Sequence, residues 1–221
     1  RRIRMKYYLL GASNPETIRM IRAVRSVDEG FEFAGMLDND VKKHGADFYG
    51  LAVLGGIEKI PFLKGDQVRF VNLITRTTEI RKTTTSGILK GGGVLGNLIH
   101  PGINLDMVKI GVGLYLQEAV ILQAEVEVGD NTSIHMGSLI GHETKIGSSV
   151  FIAHAVSVSG CCEIGEGVFI GTNASILPRV KIGQWATIGS GAVVTKNVPD
   201  YAVVVGNPGR VIKYNQPPGV R

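Results

Sequence analysis

From Ile110 to Val194 an aliphatic residue recurs at every sixth position without a gap, fifteen times in succession. Two residues before each stands a second series, Val108, Leu114, Val120 and onward to Ala192, made mostly of β-branched or small residues. A helix repeats at 3.6 residues and has no use for a period of six, whereas a short strand followed by a turn does. Glycine obeys a longer period: Gly111, Gly129, Gly147, Gly165 and Gly183 are each eighteen apart. Six residues per face and three faces per turn predict an eighteen-residue triangular coil. The fifteen hexads predict five such coils, stacked in parallel at about 4.8 Å, so that residues eighteen apart form columns.

The pattern before residue 97 is different. "MKYYLLGAS" predicts a buried strand ending in a tight turn, and "SNPETIRMIRAVRSV" the helix it feeds, with Ile18, Ile21 and Val24 as its apolar stripe. Ser13 and Glu16 have the spacing of a capping box, and Pro15 suits the first turn. "FEFAGMLDND" predicts a second strand and "DQVRFVNLI" a third. This is βαβ organisation, with Gly11, Ala12 and Ser13 at the first strand–helix turn, where backbone N–H groups can meet a phosphate. The turn lacks the full G-x-G-x-x-G pattern, so a purely structural turn is an equal reading. The expected architecture is an α/β, Rossmann-like small domain over 1–96, followed by a parallel β-helix with its tail over 97–221.

Composition narrows the class. With 44% hydrophobic and 19% charged residues, the chain is globular rather than disordered. No apolar run is long enough to span a membrane, and the apolar part of "RRIRMKYYLLGAS" is too short for a secretory signal. Cys161 and Cys162 are adjacent, which disfavours a mutual disulfide and fits a reducing compartment; both read as packing residues. A cytoplasmic protein is therefore expected. The whole net charge of +5 falls beyond residue 178, where Arg179, Lys181, Lys196, Arg210, Lys213 and Arg221 face only Asp200. That end suits an anionic partner. Aromatic residues do not interleave with the cations, which argues against nucleic acid.

The hexad pattern resembles the left-handed parallel β-helix of hexapeptide-repeat bacterial acyltransferases, and "VVVGNPGRVIKYN" resembles their closing segment, with Gly209 where alanine is usual. Taken in order, "GMLDND", "GLAVLGG", "NLIHPG" and the coils resemble the acetyltransferases of nucleotide-linked amino sugars in bacillosamine and perosamine pathways, and their sialic-acid O-acetyltransferase relatives. The resemblance implies an acetyl-CoA-dependent sugar N-acetyltransferase of surface glycan or lipopolysaccharide biosynthesis. It also implies a homotrimer with sites between subunits, acetyl-CoA as donor, no metal and no membrane insertion. It places the nucleotide sugar, of the 4-amino-4,6-dideoxy type, around Gly11, Ala12, Ser13, Asp38 and Asn39.

Within "SLIGHETKIGSSVFIAHAVSVSG", His142 and Glu143 resemble the family's catalytic pair. Acetyl transfer needs a base for the acceptor's proton, and imidazole suits that task. Consecutive strand residues point oppositely, so a His142–Glu143 contact requires a turn there or an indirect link. Column stacking puts Gly160 beside His142, with a backbone N–H open to a thioester carbonyl. His154 departs from the family spacing and shares a column with Met136, Thr172 and Ser190. It is assigned with Gly171, Thr172, Gly189 and Ser190 to a coenzyme A groove in which the glycines leave backbone accessible. Arg179, Lys181, Lys196, Arg210 and Lys213 are unranked candidates for the CoA phosphates, with Lys196 and Arg210 carried into the acetyl-CoA set. His135 and His100 read as structural. Alternative readings are a sugar O-acetyltransferase, a γ-carbonic-anhydrase-like zinc enzyme using His135, His142 and His154, and a non-catalytic solenoid scaffold.

Overall fold

The computed structural model describes residues 4–75 and 77–219; Arg221 of the basic tail lies outside them. The first strand, β1 (Met5–Leu10), is the centre of a three-stranded parallel sheet. It is flanked by β2 (Phe31–Leu37) and, after a small hairpin of β3 (Asp47–Phe48) and β4 (Leu51–Ala52), by β5 (Val68–Asn72). Helix α1 (Glu16–Val27) buries Ile18, Ile21 and Val24 against one side of this sheet, as the stripe predicts. Its start corrects the capping-box reading. Pro15 is the N-cap, Asn14 Oδ1 accepts from Glu16 N–H at 3.0 Å, and Ser13 Oγ instead receives Lys43 Nζ at 2.7 Å.

A short helix, α2 (Ile60–Leu63), precedes β5, and α3 (Thr78–Lys90) follows it, capped by Thr77 Oγ1 on Ile80 N–H. The sequence reading contains no counterpart of α3. Its Arg81 is wholly buried and, among the described residues, pairs with no acid. The guanidinium instead donates to the carbonyls of Asn72, Asn131 and Gly113 at 2.7, 2.7 and 3.2 Å. Burial lowers its pKa to about 9, which leaves it charged at neutral pH. Thr85 continues the seam, accepting from Asn72 Nδ2 and donating to Asn131 Oδ1. These bonds tie the α/β unit to the coils that follow.

The coils begin at Leu98–Ile99 and form a parallel β-solenoid of about six turns, not five. The long face runs from Leu98–Ile99 through Tyr115–Leu116 and four further pairs to Ala202–Val205, and is closed by the antiparallel strand Arg210–Tyr214. The middle face runs from Ile121–Leu122 to Val193–Val194, and the third from Lys109–Ile110 to Lys181–Ile182. The extra turn escapes the hexad count because its offsets are irregular: Ile99 pairs with Leu116 and Ile188 with Val204.

Apart from Ile110, which is exposed at the start, both sequence series point inward and fill the interior. In the one coil where the second series is polar, Thr132, Ser138 and Thr144 are fully buried. Each hydroxyl donates to a carbonyl of the next coil, Gly147, Ala153 and Ser159 respectively, so none of the three is stranded. Corners turn through left-handed residues, many of them not glycine, among them Glu143, Cys161 and Arg179 at φ near 60°. Among the described residues no helix is long and apolar enough to cross a membrane.

Candidate functional site

The corner between the middle and third faces carries the histidine–glutamate pair. Glu143 is left-handed, φ 58°, so its side chain folds back toward its neighbour instead of pointing away. His142 Nδ1 and Glu143 Oε2 are 2.8 Å apart, which realises the turn the sequence demanded. The hydrogen bond from His142, the largest influence on it, holds the Glu143 carboxyl below the usual range. With an ionised carboxylate as acceptor, Nδ1 carries the proton and Nε2 keeps its lone pair. Gln123 Oε1 accepts from His142 N–H at 2.9 Å and fixes the backbone beneath the ring. The imidazole faces a hollow of about 530 Å³ lined by Asn104, Asp106, Met107, Leu122, Gln123 and Ala124.

Gly160 stands over the ring on the next coil. A Cβ built there would lie 2.6 Å from His142 Nε2, so only glycine leaves the imidazole its place. Its carbonyl accepts from Arg179 N–H at 3.1 Å, while its N–H has no protein acceptor among the described residues. Lys196 is exposed on the same corner, two coils on. Cys162 packs inside as expected, but Cys161 does not: left-handed at φ 60°, it is half-buried at the corner with Sγ 3.7 Å from Glu143 Oε2.

The rest of the predicted CoA set lies elsewhere. His154, Thr172 and Ser190 stack on the corner between the long and middle faces, all exposed. Gly171 is buried rather than accessible, because Ser190 N of the next coil would sit 2.6 Å from a Cβ there. Gly189 is half-buried beneath Val205, and Arg210 is exposed on the closing strand. The middle face thus separates His142, Gly160 and Lys196 from the other candidates.

A second hollow, of about 460 Å³, opens between the α/β unit and the long face. Gly11, Ser13, Asp38 and Asn39 line it, together with Lys43, Tyr115 and His135. Ala12 is buried behind it, its N–H donating to Asp38 Oδ2 at 3.0 Å. Asp38 is already engaged, since Lys43 Nζ and the N–H groups of Asp40 and Ala12 all donate to it. Partial burial would raise its pKa, but these bonds, Lys43 foremost, outweigh burial and lower it. The carboxylate therefore holds Lys43 at the hollow, 2.7 Å from both Asp38 Oδ2 and Ser13 Oγ. Lys43 gave no sequence signal, because it is one lysine of a short surface turn until Asp38 folds over it.

His135, which reads as structural in the sequence, packs in the interior and also reaches the hollow. The ring is buried against Phe151 and His154, with centroids 4.6 and 5.0 Å away, and lines the hollow. Nε2 meets Ser133 Oγ at 3.0 Å, whereas buried Nδ1 has no partner. Burial first, then the charges of His154 and Arg81, lower its pKa to about 3, so the ring is neutral. Within one chain the three histidines of the zinc reading do not meet: His135 and His154 adjoin, but His142 lies on another corner.

The bacterial transferase hexapeptide family (six repeats) matches residues 161–196. No curated protein matches the chain. Among solved structures, it is similar to a histidine-to-asparagine variant of perosamine N-acetyltransferase from Caulobacter crescentus in complex with CoA and GDP-perosamine. Identity there is 24%, over 94% of this chain and 97% of that one, with a TM-score of 0.84. It is also similar to the acetyltransferase domain of PglB from Neisseria gonorrhoeae FA1090 in complex with acetyl coenzyme A (24% identity, 95% and 100% covered, TM-score 0.81). WeeI from Acinetobacter baumannii AYE gives 26% identity, 94% and 100% covered, and a TM-score of 0.81. The chain carries the transferase hexapeptide repeat and shares, over nearly all its length, the fold of these acetyltransferases.

Proposed function

We propose that this chain is an acetyl-CoA-dependent acetyltransferase that acylates the amine of a nucleotide-linked amino sugar. The observation that carries the reading is the His142–Glu143 pair, bonded at 2.8 Å with Nε2 free beneath Gly160. The acceptor nitrogen attacks the thioester carbonyl carbon, the C–S bond breaks, and the nitrogen's proton must leave. His142 Nε2 takes that proton and returns it to the departing thiolate, while Glu143 holds the tautomer and steadies the imidazolium. The Gly160 N–H donates to the carbonyl oxygen as charge gathers on it. Such a base contributes about 10²–10⁴ in rate.

Residues 1–96 hold the nucleotide sugar and 97–221 the acyl donor. Lys43 and the turn of Gly11 and Ser13 meet the diphosphate, with the sugar running toward Tyr115 and His135. The pair and this hollow occupy different corners of one chain, so a productive site takes His142 from a second copy. A homotrimer with sites between subunits satisfies this, and the exposed His154, Thr172 and Ser190 then join Lys196 and Arg210 along the coenzyme. The solved complexes of similar fold, bound to CoA with GDP-perosamine and to acetyl coenzyme A, support the substrate class. We assign the protein to surface glycan synthesis in the cytoplasm.

The test is thiol release from acetyl-CoA with a panel of uridine- and guanosine-diphosphate 4-amino sugars and their 4-hydroxy counterparts. Amide product with an amino sugar is expected. Ester product alone would move the assignment to O-transfer, and no turnover with either series would favour the scaffold reading.

A further inference from the structure

We propose that His142, Glu143 and Cys161 form a binding site for a thiophilic divalent cation of the zinc class, and that occupancy switches the corner off. The switching rests on the transferase reading above; the cation binding does not.

Three chemically different donors converge here from two successive coils, with ligand atoms all within 4.8 Å of one another. His142 Nδ1 is 2.8 Å from Glu143 Oε2, and Cys161 Sγ is 3.7 Å from the same oxygen. A tetrahedral zinc ion, with bonds of about 2.0–2.3 Å, sets its donors roughly 3.3–3.6 Å apart. The present spacings bracket that range, so shifts of about 1 Å suffice. The histidine and glutamate side chains are 57% and 60% exposed and free to make them. The backbone beneath is fixed: Glu143 and Cys161 share the left-handed corner position, and Cys161 N–H donates to His142 O at 2.8 Å.

The donor set decides which metals fit. A thiolate with an imidazole and one carboxylate selects zinc, cobalt or cadmium over magnesium and calcium, which want oxygen alone. The fourth position is left to water. On binding, Cys161 gives its thiol proton to solvent and the imidazole proton moves from Nδ1 to Nε2, so that Nδ1 gives its lone pair to the metal and Nε2 no longer accepts a proton from substrate. Arg179, next in the column, is exposed and its charge acts on the Glu143 carboxylate as a competing cation, while Glu125 on the preceding coil adds negative charge.

The experiment titrates the full chain, freed of metal, with cobalt(II), and follows the thiolate-to-cobalt absorption band. The native protein is expected to develop the band at one equivalent and Cys161→Ser to lack it. Zinc is expected to inhibit thiol release by the native protein reversibly, with relief by chelator. Cys161→Ser should keep its turnover and need about tenfold or more zinc for the same inhibition. A native protein without the band, or an undiminished band in Cys161→Ser, overturns the site. Inhibition equal in both proteins overturns the switch. Should no acceptor sustain turnover, the transferase reading fails while the cobalt titration still decides the metal site.

Discussion

The substitution Gly160→Ala probes the central geometry with one methyl group. Its Cβ would lie 2.6, 2.9 and 3.0 Å from Nε2, Cε1 and Cδ2 of His142. Carbon contacts are comfortable from about 3.5 Å, so ring or backbone must yield by about 1 Å. The backbone is held on both sides, by Arg179 N–H on Gly160 O and by Cys161 N–H on His142 O. The exposed ring therefore moves, which strains or breaks its 2.8 Å bond to Glu143. A misplacement of about 1 Å costs on the order of 10²-fold in rate. Because the displaced ring is exposed, stability should change by less than about 1 kcal/mol. The assay pairs kcat and KM for thiol release with thermal unfolding. A folded variant within about threefold of native kcat would refute the reasoning.

Other consequences follow from the same structure. Arg81→Met leaves the carbonyls of Asn72, Gly113 and Asn131 without their donor and should cost about 3–5 kcal/mol in urea unfolding; a loss below about 1 kcal/mol would contradict the seam. His135, with its pKa near 3 when folded, stays neutral while the unfolded chain's histidine gains a proton below about pH 6.5. Stability should therefore fall with pH from about 6.5 toward 3, by up to about 1.4 kcal/mol per unit, and His135→Asn should lessen that slope. Equal slopes for both proteins would tell against it. Lys43→Met and His142→Ala should each be inactive alone yet recover activity when refolded together, because a mixed assembly contains sites with both native residues. No recovery in verified mixed oligomers would argue for a site within one chain.

Most of the solenoid was legible in the sequence because its side chains alternate in and out within a hexad, and a period of six admits no helix. Ile110 to Val194 therefore reported the faces, the columns and even the neighbour of His142. The ends were not legible: the turns that include Leu98 and Val204 pair at shifted offsets, so they fall out of the count. Helix α3 was missed for another reason. "TEIRKTTTSGILK" reads as a polar surface segment, and only the finished fold reveals that Arg81 and Thr85 are buried against backbone carbonyls and Asn131. Site residues divide the same way. His142, Glu143 and Gly160 meet through one corner, which a column rule can find, whereas Lys43 and His135 join the hollow from segments no spacing relates. Asp38 lines the hollow, with its oxygens already engaged by Ala12, Asp40 and Lys43, which no spacing in the sequence reveals.

The account stands most directly on thiol release by His142→Ala beside the native protein, with CoA binding measured in both. It predicts a loss of at least about a hundredfold in kcat with CoA binding intact. Native-like turnover in the variant would contradict the assignment of His142 as the base.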